Sequence, residues 1–237
     1  MKTAAIVLSA GRGTRMQSDI PKQYMPLKEK PVLYYSLKAF QDSSVSAIIL
    51  VTGKEDVEFC REEIVEKYNI TKVSAIVPGG KERYHSVYEG LKQLGDYDYV
   101  LIHDGARPCV TVDIIERLIQ SAIEEEACVA AMPVKDTIKV SDENGYAIAT
   151  PDRSTLWMIQ TPQSFSCSLI YQAYTELMRR MEEVPEQVPS ITDDAMVAEY
   201  IYGKKVKLIP GSYTNIKITT PEDIRVAEEF LKNLEKM

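Results

Sequence analysis

The sequence predicts an α/β fold in which a mainly parallel, twisted sheet carries helices on both faces, and three observations lead there. Short apolar runs rich in β-branched residues recur along the chain. Amphipathic stretches with apolar residues three and four apart lie between them. Strand and helix therefore alternate, the pattern of βαβ units whose ligands bind at the carboxyl ends of the strands.

In chain order the expected strands are Thr3 to Leu8, Ala47 to Thr52, Val73 to Val77, Tyr99 to His103, Cys128 to Pro133 and Val206 to Ile209, each bounded by turn signals. Helical spacing is clear in Val57 to Tyr68, Ser86 to Leu94 and Ile114 to Ile123. A last helix starts with Thr220 as N-cap, Pro221 at the first helical position, then Glu222 and Asp223. The alternation breaks from Lys135 to Arg153, where the turn Asp142-Glu-Asn-Gly145 separates two β-like pieces, Thr137 to Val140 and Ala147 to Thr150. Such a hairpin has no core of its own, so it is expected to pack on something else, such as another subunit. Met181 to Pro189, polar and holding Pro185 and Pro189, reads as a surface loop.

The chain has 237 residues, within reach of one α/β domain, and residues 1–237 are read as a single domain with 135–153 as an excursion. Hydrophobic residues at 45% and charged residues at 27% argue against collagen-like, disordered and disulfide-scaffold classes. With 28 Lys+Arg against 35 Asp+Glu the net charge is −7, and no basic block offers a nucleic-acid surface. An anionic ligand must meet a local cluster of cations. Cys60, Cys109, Cys128 and Cys167 are widely spaced without a C-x-x-C pair, which fits small buried hydrophobes in a reducing compartment better than zinc or redox chemistry. The apolar run Ala4 to Leu8 is too short for a signal or membrane segment, so a cytoplasmic protein without a membrane partner is expected.

The first strand runs into Ser9-Ala-Gly-Arg-Gly-Thr-Arg-Met16. Glycines at 11 and 13 permit close approach to phosphates, and Arg15 can supply charge to them. Met16 does not fit a dinucleotide fingerprint, which weakens an NAD-dependent oxidoreductase, and Thr14-Arg15 does not fit a Walker A. By itself this loop could be a ligand-free βα turn. Pro21-Lys-Gln-Tyr24 then presents Lys22 beside the same loop. Pro78-Gly-Gly80 is a second glycine turn after a strand, followed by Lys81-Glu-Arg83 and Ser86. Ile102-His-Asp-Gly-Ala-Arg-Pro108 brings Asp104 and Arg107 to a strand end, where the carboxylate could hold Mg²⁺ or could equally form a structural ion pair. His103, on an apolar strand, reads as a core histidine, and His85 has no partner at ligand spacing. Thr137, Thr161 and Thr192 individually suit strand propensity or capping.

In this order and spacing, Gly11-x-Gly13-x-Arg15-Met16, Pro21-Lys-Gln-Tyr24, His103-Asp-Gly-Ala-Arg-Pro108, Thr161-Pro-Gln163, Thr192-Asp193 and Asn215-Ile-Lys217 resemble the 2-C-methyl-D-erythritol 4-phosphate cytidylyltransferase family over nearly the whole chain. The resemblance implies a Rossmann-like nucleotidyltransferase fold, a homodimer joined through a β-arm at 135–153, and transfer of CMP from CTP to a sugar-alcohol phosphate with Mg²⁺ present. By motif, Arg15, Lys22, Asp104 and Lys217 would be catalytic, with Asp104 also the metal ligand. Ser9, Ala10, Gly11, Gly13, Gly80 and Ser86 would surround the nucleotide. Arg107, Thr161 and Thr192 would bind the acceptor, with Thr137 and Arg153 from the partner's arm. Two positions depart from the family pattern: Ser9 where many members carry Ala, and Lys81 where an acidic residue is common. A related ribitol 5-phosphate cytidylyltransferase shares several of these elements, and a non-catalytic nucleotide-binding module on the same fold is the alternative from another class.

Overall fold

The computed structural model describes residues 1–11 and 20–234. Its strands are β1 (Thr3–Ser9), β2 (Pro26–Leu27), β3 (Lys30–Pro31), β4 (Ala47–Thr52), β5 (Val73–Pro78), β6 (Tyr99–Asp104), β7 (Ala127–Pro133), β8 (Val140–Ser141), β9 (Ala147–Ala149), β10 (Trp157–Ser166) and β11 (Lys207–Pro210). The helices are α1 (Val32–Asp42), α2 (Val57–Phe59, continued by a π-helix over Cys60–Glu66), α3 (Arg83–Leu91), α4 (Val112–Glu125), α5 (Cys167–Glu183), α6 (Asp194–Tyr202) and α7 (Pro221–Leu234).

Seven strands form one sheet in the order β11-β7-β10-β6-β1-β4-β5. β1 pairs in parallel with both β4 and β6, β4 with β5, and β11 with β7. β4 and β5 follow β1 on one side and β6 flanks it on the other, so the connections leaving β1 and β6 diverge there and open a crevice at their carboxyl ends. Successive side chains point to opposite faces. On one face Ala5, Val7, Ile48, Leu50 and Leu101 pack against Leu33, Leu37 and Phe40 of α1 and Ile115 and Leu118 of α4. On the other, Ile6, Ile49, Val51, Val100 and Ile102 meet Val87 and Leu91 of α3, Ile170, Tyr174 and Leu177 of α5, and Val197 and Ala198 of α6. A smaller cluster of Leu27, Val32, Cys109, Ile218, Ala227 and Leu231 seats α7. Asp223 accepts the backbone N–H groups of Thr219 and Thr220 at 2.7 and 2.8 Å, which ties the chain to the first turn of that helix.

The six expected strands are all present, with ends that differ by at most a residue, whereas the first piece of the excursion, expected over Thr137 to Val140, is a strand only at Val140–Ser141. β10 was not expected, and it is antiparallel to both β6 and β7. Its middle, Gln160-Thr-Pro-Gln-Ser164, lacks the apolar run of a central strand and contains a proline that cannot donate to a ladder. The register shifts between Ile159 and Gln163, and that irregularity accommodates Pro162. The surface loop expected over Met181 to Pro189 is partly helical: α5 continues through Glu183 and a 3₁₀ turn covers Pro185–Gln187. The α3 segment begins at Arg83 rather than Ser86, because Glu82 and His85 form a reciprocal cap at its start.

The excursion is a hairpin of β8 and β9, closed by Asp142 Oδ1 accepting the N–H groups of Asn144 and Tyr146, with Gly145 at φ +85°. It exposes Tyr146 (73%) and Ile148 (65%) together with Ile138 and Val140.

The four cysteines are free, with Cys60, Cys109 and Cys128 buried and Cys167 half-buried. Burial pushes the Cys109, Cys128 and Cys167 thiols up to about 12, and that of Cys60 upward. Alkylation with iodoacetamide at pH 7 is therefore expected to leave native protein unmodified by mass spectrometry, while urea-unfolded chain takes up four groups.

Candidate active site

β1, β5 and β6 end at one level, and the loops that follow them build the site. Gly105 is required by close approach: its N–H donates to Leu8 O at 2.8 Å, and a Cβ there would stand 2.9 Å from the same oxygen. Gly79 is required likewise, since a Cβ would come within 2.6 Å of Ala10 Cβ and 2.7 Å of Ser86 Oγ. The β1 and β5 loops thus touch across glycine. Ser86 Oγ accepts the Gly80 N–H at 3.1 Å and donates to Glu82 O at 3.2 Å, fixing that loop on α3. Gln23 Nε2 donates to Ser9 O at 2.7 Å and anchors the segment bearing Lys22.

A cavity of about 690 Å³ opens between these loops. Among the described residues it is lined by Ser9, Ala10, Gly11, Lys22, Gly80, Ser86, Asp104 and Lys217, all singled out from the sequence, and also by Gln23, Lys81, Glu82, Arg83 and Ala106. A second cavity of about 270 Å³ is lined by Arg107, Gln160, Thr161, Gln163, Thr192 and Asp193. Arg83, Asp104 and Lys217 line both. Two ligands could therefore meet at one charged wall.

Asp104 is the centre of that wall. Lys217 Nζ lies 2.8 Å from its Oδ2, Arg83 Nε 3.3 Å from its Oδ1, and Arg107 Nε 3.9 Å from Oδ2. Burial alone would raise its pKa, but Arg83, Lys217 and Arg107 outweigh burial and hold it well below the usual carboxylate range. The loop carrying Lys217 is laced to the loop after β6. Arg107 Nη1 donates to Asn215 O at 2.8 Å, Ile218 N to Ala106 O at 2.8 Å, and Asn215 Nδ2 to Thr161 O at 2.9 Å. Lys22 Nζ donates to Ile218 O at 2.9 Å. Cations from positions 83, 107 and 217 are thereby gathered around one carboxylate, and Lys22 lines the same cavity, held to the residue after Lys217.

His103 is a core histidine, as the sequence suggested. It is fully buried beneath Asp104, with Nδ1 3.0 Å from Thr161 Oγ1 and Nε2 3.3 Å from Arg107 O. A neutral ring donating from Nε2 and accepting at Nδ1 satisfies both contacts, and leaves Thr161 Oγ1 to accept the Asp104 N–H at 3.0 Å. Burial drives its pKa down to about 3. An unfolded histidine titrates near about 6.5, so between those values the unfolded chain binds a proton that the fold does not, and stability falls as pH drops through this window. In urea titrations between pH 4 and 6.5, His103→Gln is expected to be less stable overall yet to show a pH slope shallower by roughly one proton.

Two sequence-derived site residues stand apart from both cavities: Thr137 and Arg153 are exposed on the excursion, Arg153 Nη1 donating to Lys135 O at 2.9 Å. Gly13 and Arg15 lie outside the described residues. Arg83 is a site residue that the sequence presents only as part of a turn. Its position as the first residue of a helix that follows a strand and two glycines is the available signal, since the start of such a helix lies beside the strand ends.

Comparison with known proteins agrees with this geometry. The family model for 2-C-methyl-D-erythritol 4-phosphate cytidylyltransferase matches residues 3–233. A protein of that name from Lachnospira eligens is 53% identical over 229 residues, 96% of this chain and 98% of the relative. One from Alkaliphilus oremlandii is 51% identical over 233 residues, 98% and 95% of the two chains. The crystal structure of 4-diphosphocytidyl-2C-methyl-D-erythritol synthase from Anaerococcus prevotii superposes with a TM-score of 0.83 at 34% identity, covering 98% of this chain and 96% of that one. Matched by the family model over residues 3–233 and by relatives over nearly all of its length, this chain belongs to the 2-C-methyl-D-erythritol 4-phosphate cytidylyltransferase family.

Proposed function

We propose that this chain is the enzyme that transfers CMP from CTP to 2-C-methyl-D-erythritol 4-phosphate, releasing pyrophosphate, in isoprenoid biosynthesis. The observation that carries the reading is the wall of Arg83, Asp104 and Lys217 common to two cavities, a large one for the nucleotide and a small one for the acceptor. The acceptor phosphate is already anionic and needs no general base. What the protein must supply is alignment and charge stabilisation at the α-phosphorus. Lys22 and Lys217, with Arg15, take the negative charge that develops there. Asp104 orients Lys217, while Arg107, Thr161 and Thr192 hold the acceptor. Ser9, Ala10, Gly11, Gly13, Gly80 and Ser86 frame the cytidine.

The residues present fit Mg²⁺ as a companion of the substrate. Asp104 is one ionised carboxylate at the cavity wall, and no group of three His, Cys, Asp or Glu gathers among the described residues to cage an ion unaided. Mg²⁺ commonly takes one or two carboxylates plus substrate phosphates and waters. Bound there, the ion would neutralise triphosphate oxygens and help pyrophosphate leave.

The exposed apolar hairpin, with Tyr146 and Ile148, suits a second copy of this chain, whose cavity would receive Thr137 and Arg153. Four free thiols and the acidic surface suit the cytoplasm, and no helix among the described residues is long and apolar enough to cross a membrane. The test is an assay of purified protein with CTP, Mg²⁺ and each acceptor, light scattering giving the oligomeric state. Turnover with methylerythritol phosphate by a dimer supports the reading. Turnover of ribitol 5-phosphate alone, or binding of CTP without turnover, overturns the choice of reaction, and a fully active monomer overturns the shared site.

A further inference from the structure

The carboxylate at the centre of the site is itself held from behind. Arg83 Nη1 and Nη2 each donate over 2.7 Å, to Oδ1 and Oδ2 of Asp194, a two-point fork that fixes the plane of the guanidinium and turns its Nε edge toward Asp104 Oδ1 at 3.3 Å. Asp194, the first residue of α6, is fully buried. It takes a further hydrogen bond at 2.6 Å from the Tyr174 hydroxyl on α5, and its own N–H donates to Gln163 Oε1 at 3.1 Å. Burial works against the charge on Arg83, yet Asp194 and Asp104 outweigh it and hold the guanidinium well above its usual pKa. A buried ion pair is a weak source of net stability, because desolvation offsets most of its attraction. Stability alone therefore does not account for a fork placed where the two cavities meet.

We propose that the Tyr174–Asp194–Arg83 chain is a positioning device: it sets the orientation of the Asp104 carboxylate for transfer, and Arg83 is a positioning residue of the reaction. The inference rests on the cytidylyl-transfer reading. A tie that only joined α3 to α6 would affect folding and leave the turnover of each folded molecule untouched. A simple phosphate ligand at position 83 would act through CTP affinity, and lysine would substitute for it. In a positioning device lysine fails, since one ammonium cannot engage both Asp194 oxygens and Asp104 together.

The experiment compares kcat, KM for CTP, half-saturating Mg²⁺ and Tm in the full-length wild type, Tyr174→Phe, Arg83→Lys and Arg83→Gln. Tyr174→Phe removes one hydroxyl and keeps the ring in its packing. It is expected to lower kcat about tenfold, and both Arg83 variants by about tenfold to a hundredfold, with KM for CTP within about twofold and half-saturating Mg²⁺ raised. Wild-type kcat per folded molecule in Tyr174→Phe and Arg83→Lys, or a loss confined to KM for CTP, overturns the proposal while the transfer reading stands. A wild type inert toward CTP and methylerythritol phosphate overturns both.

Discussion

Lys217→Ala is expected to lower kcat by about a hundredfold to a thousandfold with little change in Tm, the size of effect seen when one preorganised charge-stabilising donor is removed. The physical ground is the position of Lys217: Nζ sits 2.8 Å from Asp104 on the wall that both cavities share, so the ammonium is already held and aimed when the α-phosphorus arrives. The fold should survive, because Lys217 is half-exposed and Asp104 keeps Arg83 and Arg107 as partners. Lys22→Ala should behave alike, since Nζ reaches the carbonyl of Ile218, the residue after Lys217. Steady-state kinetics with thermal melts check both. Near-normal kcat in the two variants would mean that the lysines serve something other than the transition state.

Asp104→Asn should be costly in two ways. The amide keeps the shape but withdraws the negative charge that faces Arg83, Lys217 and Arg107; Arg83 keeps Asp194 and Lys217 is half-exposed, so the cost falls mainly on the largely buried Arg107, and removing one partner of a buried pair costs about 3–5 kcal/mol. The carboxylate is held well below its usual pKa, so in the wild type its contribution is present above about pH 4 and is lost as acid titrates the folded carboxylate. The variant should therefore melt earlier at pH 7 and lose part of that acid sensitivity. Its kcat should fall at least as far as that of Lys217→Ala, because Lys217 loses its anchor along with any carboxylate contact to Mg²⁺. Calorimetry at pH 7 and between about pH 4 and pH 2, together with kinetics at pH 7, measures both effects. A variant of wild-type stability and turnover would remove Asp104 from the centre of the site.

The fold was legible wherever burial on both faces imposes a continuous apolar run. β1, β4 and β6 are of this kind, and their ends were recovered to within a residue. It was not legible at β10, where the antiparallel direction and the irregularity around Pro162 arise from pairing with β6 and β7, distant strands that no local window contains. The site divides the same way. Glycine turns and strand-end charges mark Lys22, Asp104 and Arg107 locally, and the cavities contain each of them or sit beside them. The fork between Arg83 and Asp194 spans 111 positions of sequence and depends on α3 and α6 packing on one face of the sheet. Nothing in either segment alone announces it.

The convergence of two ligands on one charged wall is tested most directly by a crystal structure with the reaction product, 4-diphosphocytidyl-2C-methyl-D-erythritol, bound. The cytidine should lie along Ser9 to Gly11, Gly80 and Ser86, the methylerythritol portion beside Arg107 and Thr161, and the diphosphate against Lys217 and Asp104 between them. A product molecule confined to the larger cavity, with its diphosphate pointing to solvent away from Asp104, would contradict the account.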